Sequence, residues 1–381
     1  MNKGTALLRQ HNEKRTLTLM RNHQYISRQD IAKALDLSKN TISLIIDKFI
    51  KDGIVKEIGM DEKQTGIGRP RIQLSLVTEA YKAIGILIQN EFCKYVVTDY
   101  CSKILEEGQM PVDGNDPDRS IEELAKLCNT LLKKYPEVLG IGLAVPALVD
   151  PVEGVVHFSS HLNWREVRLK ERLDSMLPAK SKVLNSVKAS AIAPSSVVPQ
   201  EVLTNSFYLC IDEGVGGAHI VDSQIYSGAS WSAGEIGHLP VKADGPLCTC
   251  GQRGCLETLV SLPAIRRRIL KEYPGVKFEG SILNQWNQAD GLDLALDKII
   301  RESGEYVGIA VSQIITLLNP KYIVVDSPFE KLEIFRNAVR ASMENRSLKY
   351  PLQKTNLLFV ANVYSSSVGA AFAVILDFEK E

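Results

Sequence analysis

No stretch of this 381-residue sequence runs apolar for the ~20 residues a helix needs to cross a bilayer. The opening segment, MNKGTALLRQHNEKR, lacks the apolar core and small-residue cleavage site of a secretion leader. Net charge is missing too, because 45 Lys and Arg meet 45 Asp and Glu. These absences argue against a membrane span and against export, and they point to the cytoplasm, where thiols stay reduced. With 45% hydrophobic and 24% charged residues, the chain reads as globular rather than disordered or fibrous. Its length implies two or three domains.

The zero net charge hides an asymmetry. Residues 1–72 hold 14 Lys and Arg against 8 Asp and Glu, leaving 31 against 37 for the rest, so +6 is balanced by −6. A small basic module joined to a larger acidic one suggests that the first part meets a polyanion, although +6 also fits an ordinary solvated surface.

Within that module, Leu17, Leu19 and Met20 mark a first helix from about Asn12 to His23. Ser27, with Asp30 three residues on, starts a second in the manner of a capping box. Ser38 is a good N-cap for a third, in which Ile42, Ile45, Ile46 and Phe49 recur at helical spacing until Gly53. IVKEIG and RIQLSLV then read as two strands around a polar tip. Three helices and a β-ribbon make a winged helix-turn-helix, whose third helix lies in the major groove of double-stranded DNA. Ser38, Lys39, Asn40, Thr41 and Ser43 are its candidate base-edge and phosphate contacts, and Lys48 a candidate backbone contact. GIGRPR (66–71) is a thin extended segment whose Arg69 and Arg71 are candidates for an A·T-rich minor groove, or it is an exposed linker between domains.

From Tyr81 onward strands alternate with helices, the pattern of paired α/β lobes around a cleft. AIGILIQN, YVVTDY and KILEEG read as a meander, followed by helices over 119–134 and 165–177, a long helix 301–318 ahead of KYIVVDSP, and a Gly/Ala-rich helix at the C-terminus. IDEGVGG (211–217) is either a loop whose backbone amides approach an anion or a tight turn between strands; Glu213 would repel a phosphate.

GHLPVKADGPLCTCGQRGC (237–255) gathers three of the seven cysteines beside a histidine, in the spacing H-x9-C-x-C-x4-C. A disulfide loop, core thiols and a metal site are the three readings. A reducing compartment disfavours the first, and so polar a loop disfavours the second. Four N/S donors, His238, Cys248, Cys250 and Cys255, match the tetrahedral preference of a structural Zn²⁺. Cys93, Cys101, Cys128 and Cys210 lie in apolar runs and read as core thiols.

GEIGH followed by CTCGQRGCLE resembles the signature of the ROK family of sugar kinases and sugar-responsive repressors. SRQDIAKALDLSKNTIS, GRPR, AVPALVDPVEGVV, LNW and GVGG fall in the family's order. The resemblance implies a winged helix-turn-helix over 1–76, followed by a two-lobed, actin-like, sugar-kinase-like α/β domain over 77–381, its C-terminal helix packing back on the first lobe. It also implies that the DNA-binding module belongs to the repressor branch, which includes repressors of xylose operons.

Against the kinases of that family the chemistry has changed. Their Asn-Asp pair becomes Asn185-Ser186, and a serine hydroxyl is no general base near neutral pH. Their two phosphate loops become ILIQNEF (86–92) and Asp212-Glu213-Gly214, and the Gly-Gly near their adenine becomes Asp326-Ser327. The family's sugar-facing positions keep polar side chains here: Asn163, Asn185, Glu235, His238 and Glu257, with Trp164 beside them. The expectation is therefore a non-catalytic sugar sensor, a homodimer or dimer of dimers on a palindromic operator, released by an aldose or a derivative. A repressor answering to a protein partner such as a transporter component is the alternative, and an active kinase the least favoured reading.

Overall fold

The computed structural model describes residues 3–60, 72–193, 200–222, 224–272, 274, 293–361 and 365–380. Arg69 and Arg71 lie outside these described residues. The chain forms two compact units, Met1–Leu184 together with Ala370–Glu381, and Asn185–Gly369.

The first unit opens with α1 (Lys3–Arg21), the two-residue strand β1 (Ile26–Ser27), α2 (Arg28–Leu35), α3 (Lys39–Lys51), β2 (Val55–Met60) and β3 (Ile72–Leu76). The strands pair antiparallel in the order β1-β3-β2. Helix starts fall where the sequence supplies caps. The Ser27 hydroxyl accepts the Asp30 amide at 3.3 Å, and Ser38 accepts the Thr41 amide at 3.1 Å. Asp36, in the left-handed region at φ 54°, ends α2 and turns the chain toward α3. Ile31, Ile42, Ile45, Ile46, Phe49 and Leu74 are buried and form the module's core. One boundary differs from the sequence reading: α1 begins by Lys3, not near Asn12, and ends at Arg21. Leu17 and Met20 are buried while Leu7 and Leu8 are exposed, so apolar spacing marks just the helix's second half.

Next come β4 (Lys82–Ile88), β5 (Phe92–Asp99), β6 (Ile104–Pro111), α4 (Pro117–Lys134) and β7 (Val138–Val145). After β8 (Leu148–Asp150), β9 (Val155–Ser159) and β10 (Trp164–Arg168) come α5 (Leu169–Met176) and β11 (Ser181–Asn185). A five-stranded sheet runs β11-β7-β4-β5-β6, with β4-β5-β6 an antiparallel meander and β7 parallel to β4. The helix expected over 165–177 is shorter, because residues 164–168 pair with β9 instead. Trp164, fully buried, decides this; its indole N–H donates to the Gly114 carbonyl at 2.7 Å.

The second unit holds α6 (Ser186–Ile192), β12 (Asn205–Ile211), β13 (Val215–Val221), β14 (Gln224–Ile225), α7 (Glu257–Val260) and α8 (Leu262–Glu272). The long helix Asp293–Leu318, β15 (Tyr322–Asp326), the helix Glu333–Glu344 and β16 (Asn356–Val360) follow. Its sheet runs β14-β13-β12-β15-β16, with β15 parallel to both β12 and β16.

The chain returns to the first unit along the helix Ser366–Lys380. A Cβ on Gly142 of β7 would stand 2.0 Å from the Ala370 carbonyl oxygen, so strand and helix touch backbone to backbone. The same helix meets α1. The Arg21 guanidinium donates to both carboxylate oxygens of Glu379, at 2.9 and 3.1 Å, and stacks 4.8 Å from the Phe372 ring centre. Tyr100 adds its hydroxyl to Glu379 at 2.8 Å. Among the described residues no helix is long and apolar enough to cross a membrane.

Candidate functional site

Three places carry chemistry. On α3 the buried Ile and Phe face leaves Lys39, Asn40, Leu44, Asp47 and Lys51 exposed, with Thr41 and Ser43 half-exposed. The hydroxyls of Ser38 and Thr41 lie 2.8 Å apart and satisfy each other, and Lys48 donates to Glu13 of α1 at 2.6 Å. Lys39, Asn40 and Ser43 are thus the predicted contacts most open to a partner. Sequence reasoning missed Arg28, which bonds Asp47 of α3 at 2.7 Å and Glu57 of β2 at 3.2 Å. It ties the third helix to the wing.

The second place is the cysteine loop. Backbone bonds run from the Val241 amide to the Gly254 carbonyl and from the Leu256 amide to the Leu239 carbonyl, laying His238 beside Cys255. A small hairpin closed by the Cys248 amide on the Gln252 carbonyl carries the other two cysteines. Gly254 has φ 69°, and a Cβ there would lie 1.6 Å from the Lys242 carbonyl oxygen, so only glycine fits. The result brings together one donor atom each of His238, Cys248, Cys250 and Cys255, all within 4.8 Å of one another. Cys250 Sγ to Cys255 Sγ is 3.6 Å, as is Cys248 Sγ to His238 Nδ1. Tetrahedral ligands at about 2.0–2.3 Å from an ion stand about 3.3–3.8 Å apart. The cluster therefore has the donors and spacing to hold a metal ion. The Cys255 thiol is pushed up to about 12 by burial, with the neighbouring thiols adding to the rise, so ion binding must expel its proton.

The third place lies next to it. Gly237 lets the 3-10 turn Ile236–His238 press on β13, since a Cβ there would be 2.0 Å from the Val215 carbonyl oxygen. Glu257, opening α7, accepts the Val215 amide at 3.1 Å. The carboxyl of Glu235 is raised by desolvation, with His238 and Lys188 opposing and Glu257 reinforcing the rise. Asn185 caps α6, its side-chain oxygen accepting the Lys188 amide at 3.0 Å. Lys188 itself, only 7% exposed, donates its ammonium to the Trp231 carbonyl, and that carbonyl belongs to a residue in the left-handed region at φ 57°. Neither residue stood out in the sequence, since a lone lysine inside a helix reads as a solvated charge.

Asn163 belongs to the first unit. It too is left-handed, at φ 54°, and donates to the Asn115 side chain at 2.9 Å, at the rim of a shallow hollow of about 420 Å³. Two motifs compared with kinase phosphate loops are tight turns here. The Gln89 amide bonds the Phe92 carbonyl at 3.0 Å, and the Asp212 amide bonds the Gly214 carbonyl at 2.9 Å. Glu213 pairs with Arg266, and buried Asp326 accepts the Tyr208 hydroxyl at 2.8 Å.

A family model described as ROK family matches residues 83–377, well over half the chain. The chain belongs to the ROK family. A second model, winged helix-turn-helix DNA-binding, matches residues 9–56 of this ROK protein. The xylose repressor of Bacillus spizizenii is 26% identical over 340 residues, covering 88% of this chain and 87% of that one. The DNA-binding transcriptional dual regulator NagC of Escherichia coli K12 is 26% identical over 389 residues, covering 97% and 93%. Among solved structures, a ROK family transcriptional regulator, homologous to the E. coli MLC protein, superposes with TM-score 0.79 at 21% identity over 98% and 97%. A ROK glucokinase from Streptomyces griseus, in complex with glucose and AMPPNP, gives TM-score 0.62 at 20% identity over 77% and 98%. The ROK fold of this chain is thus common to regulators and kinases.

Proposed function

We propose that this ROK protein is a cytoplasmic transcriptional repressor without kinase activity, released from a palindromic operator when a sugar binds. Residues 1–76 would read the DNA and residues 77–381 would bind the effector and hold the homodimer, or a dimer of dimers. One observation carries the reading. A winged helix-turn-helix with Lys39 and Asn40 exposed and Ser43 half-exposed shares a chain with a ROK domain whose Asn185 is followed by Ser186 instead of an acid. Without a carboxylate at that position the sugar hydroxyl has no base to give its proton to.

His238, Cys248, Cys250 and Cys255 would hold Zn²⁺, which supplies a structural cross-link and no reaction step. His238 Nδ1 lies 3.6 Å from Cys248 Sγ, so if that nitrogen served the ion, Nε2–H would be left to donate to a sugar hydroxyl. Glu235 and Glu257 would accept from hydroxyls, and Asn185 would add an amide group. The relatives' names include a xylose repressor, which favours an aldose or a derivative.

The test is anisotropy on DNA from upstream of its own and neighbouring genes, with a panel of aldoses and their phosphates. Release by one sugar is expected, and Glu235→Ala should weaken that response at least tenfold while leaving sugar-free DNA affinity unchanged. Firm DNA binding indifferent to every sugar would shift the effector to a protein partner. ATP-dependent phosphorylation of a sugar would overturn the non-catalytic reading.

A further inference from the structure

Single exposed leucines are ordinary on protein surfaces. Leu44 is unusual for where it stands. It is 67% exposed in the middle of α3, while Ile42, Ile45 and Ile46 on either side are at most 2% exposed. It has no place in the core and lies on the same helix face as Asn40, one turn before it, and Asp47, one turn after. Asp47 is paired with Arg28, which also serves Glu57, so its charge is only partly offset and it is poorly suited to lie against phosphate. The outward ladder of the third helix is therefore an amide, an isobutyl group and a partly compensated acid.

Base edges in the major groove offer one apolar feature, the C5-methyl of thymine, and an amide side chain matches the paired donor and acceptor of adenine. Four residues along a helix are about 6 Å, or nearly two base-pair steps of about 3.4 Å. Resting on the DNA-reading function proposed above, we infer that Leu44 is a specificity-determining residue that packs on a thymine methyl one or two base pairs from the pair contacted by Asn40. Against phosphate the same side chain would only displace water from charged oxygens.

The test uses the full chain. Sites are selected from a random duplex pool with the wild type, and each thymine of the consensus is replaced in turn by deoxyuridine, which lacks only the methyl. At one thymine per half-site, deoxyuridine should weaken wild-type binding about fourfold, the effect of losing one buried methyl. Leu44→Ala should bind the thymine and deoxyuridine duplexes alike and relax its selected consensus at that position, with an unchanged melting temperature. Asn40→Ala should relax a neighbouring position instead. The inference is overturned if no thymine-to-deoxyuridine change weakens the wild type, or if Leu44→Ala keeps the full thymine preference. Both outcomes leave sequence-specific binding intact. Absence of binding to any duplex would overturn the DNA-reading function along with it.

Discussion

The two five-stranded sheets repeat one plan. In each, three strands form an antiparallel meander and later strands add on beyond the first, giving β6-β5-β4-β7-β11 and β14-β13-β12-β15-β16. What fixes each unit is different. The first is stapled by a buried pair, Arg21 with Glu379, whose side chains are 11% and 5% exposed, backed by Tyr100. The second gathers a His and three Cys into one polar loop beside Glu235 and Glu257. A repeated strand order therefore says little about function. The side chains that brace each sheet say more, because one set joins the DNA-reading helices to the C-terminal helix and the other borders the candidate ligand site.

Substitutions can break this contrast one side at a time. The largest effect is expected at Gly237, where a Cβ would collide with the Val215 carbonyl; Gly237→Ala should destabilise by about 5 kcal/mol or more, or yield insoluble protein, read by chemical denaturation. On the first unit, Glu379→Ala leaves Arg21 and Tyr100 without their shared acceptor and should remove about 3–5 kcal/mol, with Arg21→Met partly rescuing it in a double-mutant cycle. Removal of a bound metal by a chelator, or Cys248→Ser, should weaken the second unit by about 3 kcal/mol, lowering its melting temperature by about 6–12 °C. Hydrogen exchange should locate that loss around residues 237–257 and leave α1 untouched. Metal affinity should fall as pH falls, because the buried Cys255 thiol, held up at about 12, must lose its proton to bind. The smallest effect is Ser38→Ala, about 1 kcal/mol from a lost helix cap, measured by thermal melting.

How far the sequence announced this depends on how local the cause was. Ser27, Ser38 and Gly53 punctuate helices through bonds within a few residues, and the cysteine spacing lies within one loop, so both are legible. The segment WREVRLKERLDSM has the charges of a helix, yet its first five residues form β10 because Trp164 is drawn into the core by a carbonyl 50 residues away. Nothing in the local pattern carries that. The start of α1 is hidden for the opposite reason: Leu7 and Leu8 are exposed, so no buried face imposes a periodicity there. Of the candidate ligand site, the polar side chains were readable as types. Lys188 was not, because its burial depends on a carbonyl 43 residues further along the chain.

The Arg28 clamp between the third helix and the wing alters how salt titrations of this protein must be interpreted. Its three charged side chains are partly exposed, so added ions screen it just as they compete at phosphates. As ionic strength rises, the reading head loosens while its counterion-linked contacts weaken. The slope of log affinity against log salt will then exceed the number of phosphates touched, and Arg28→Met should bring it back toward that number.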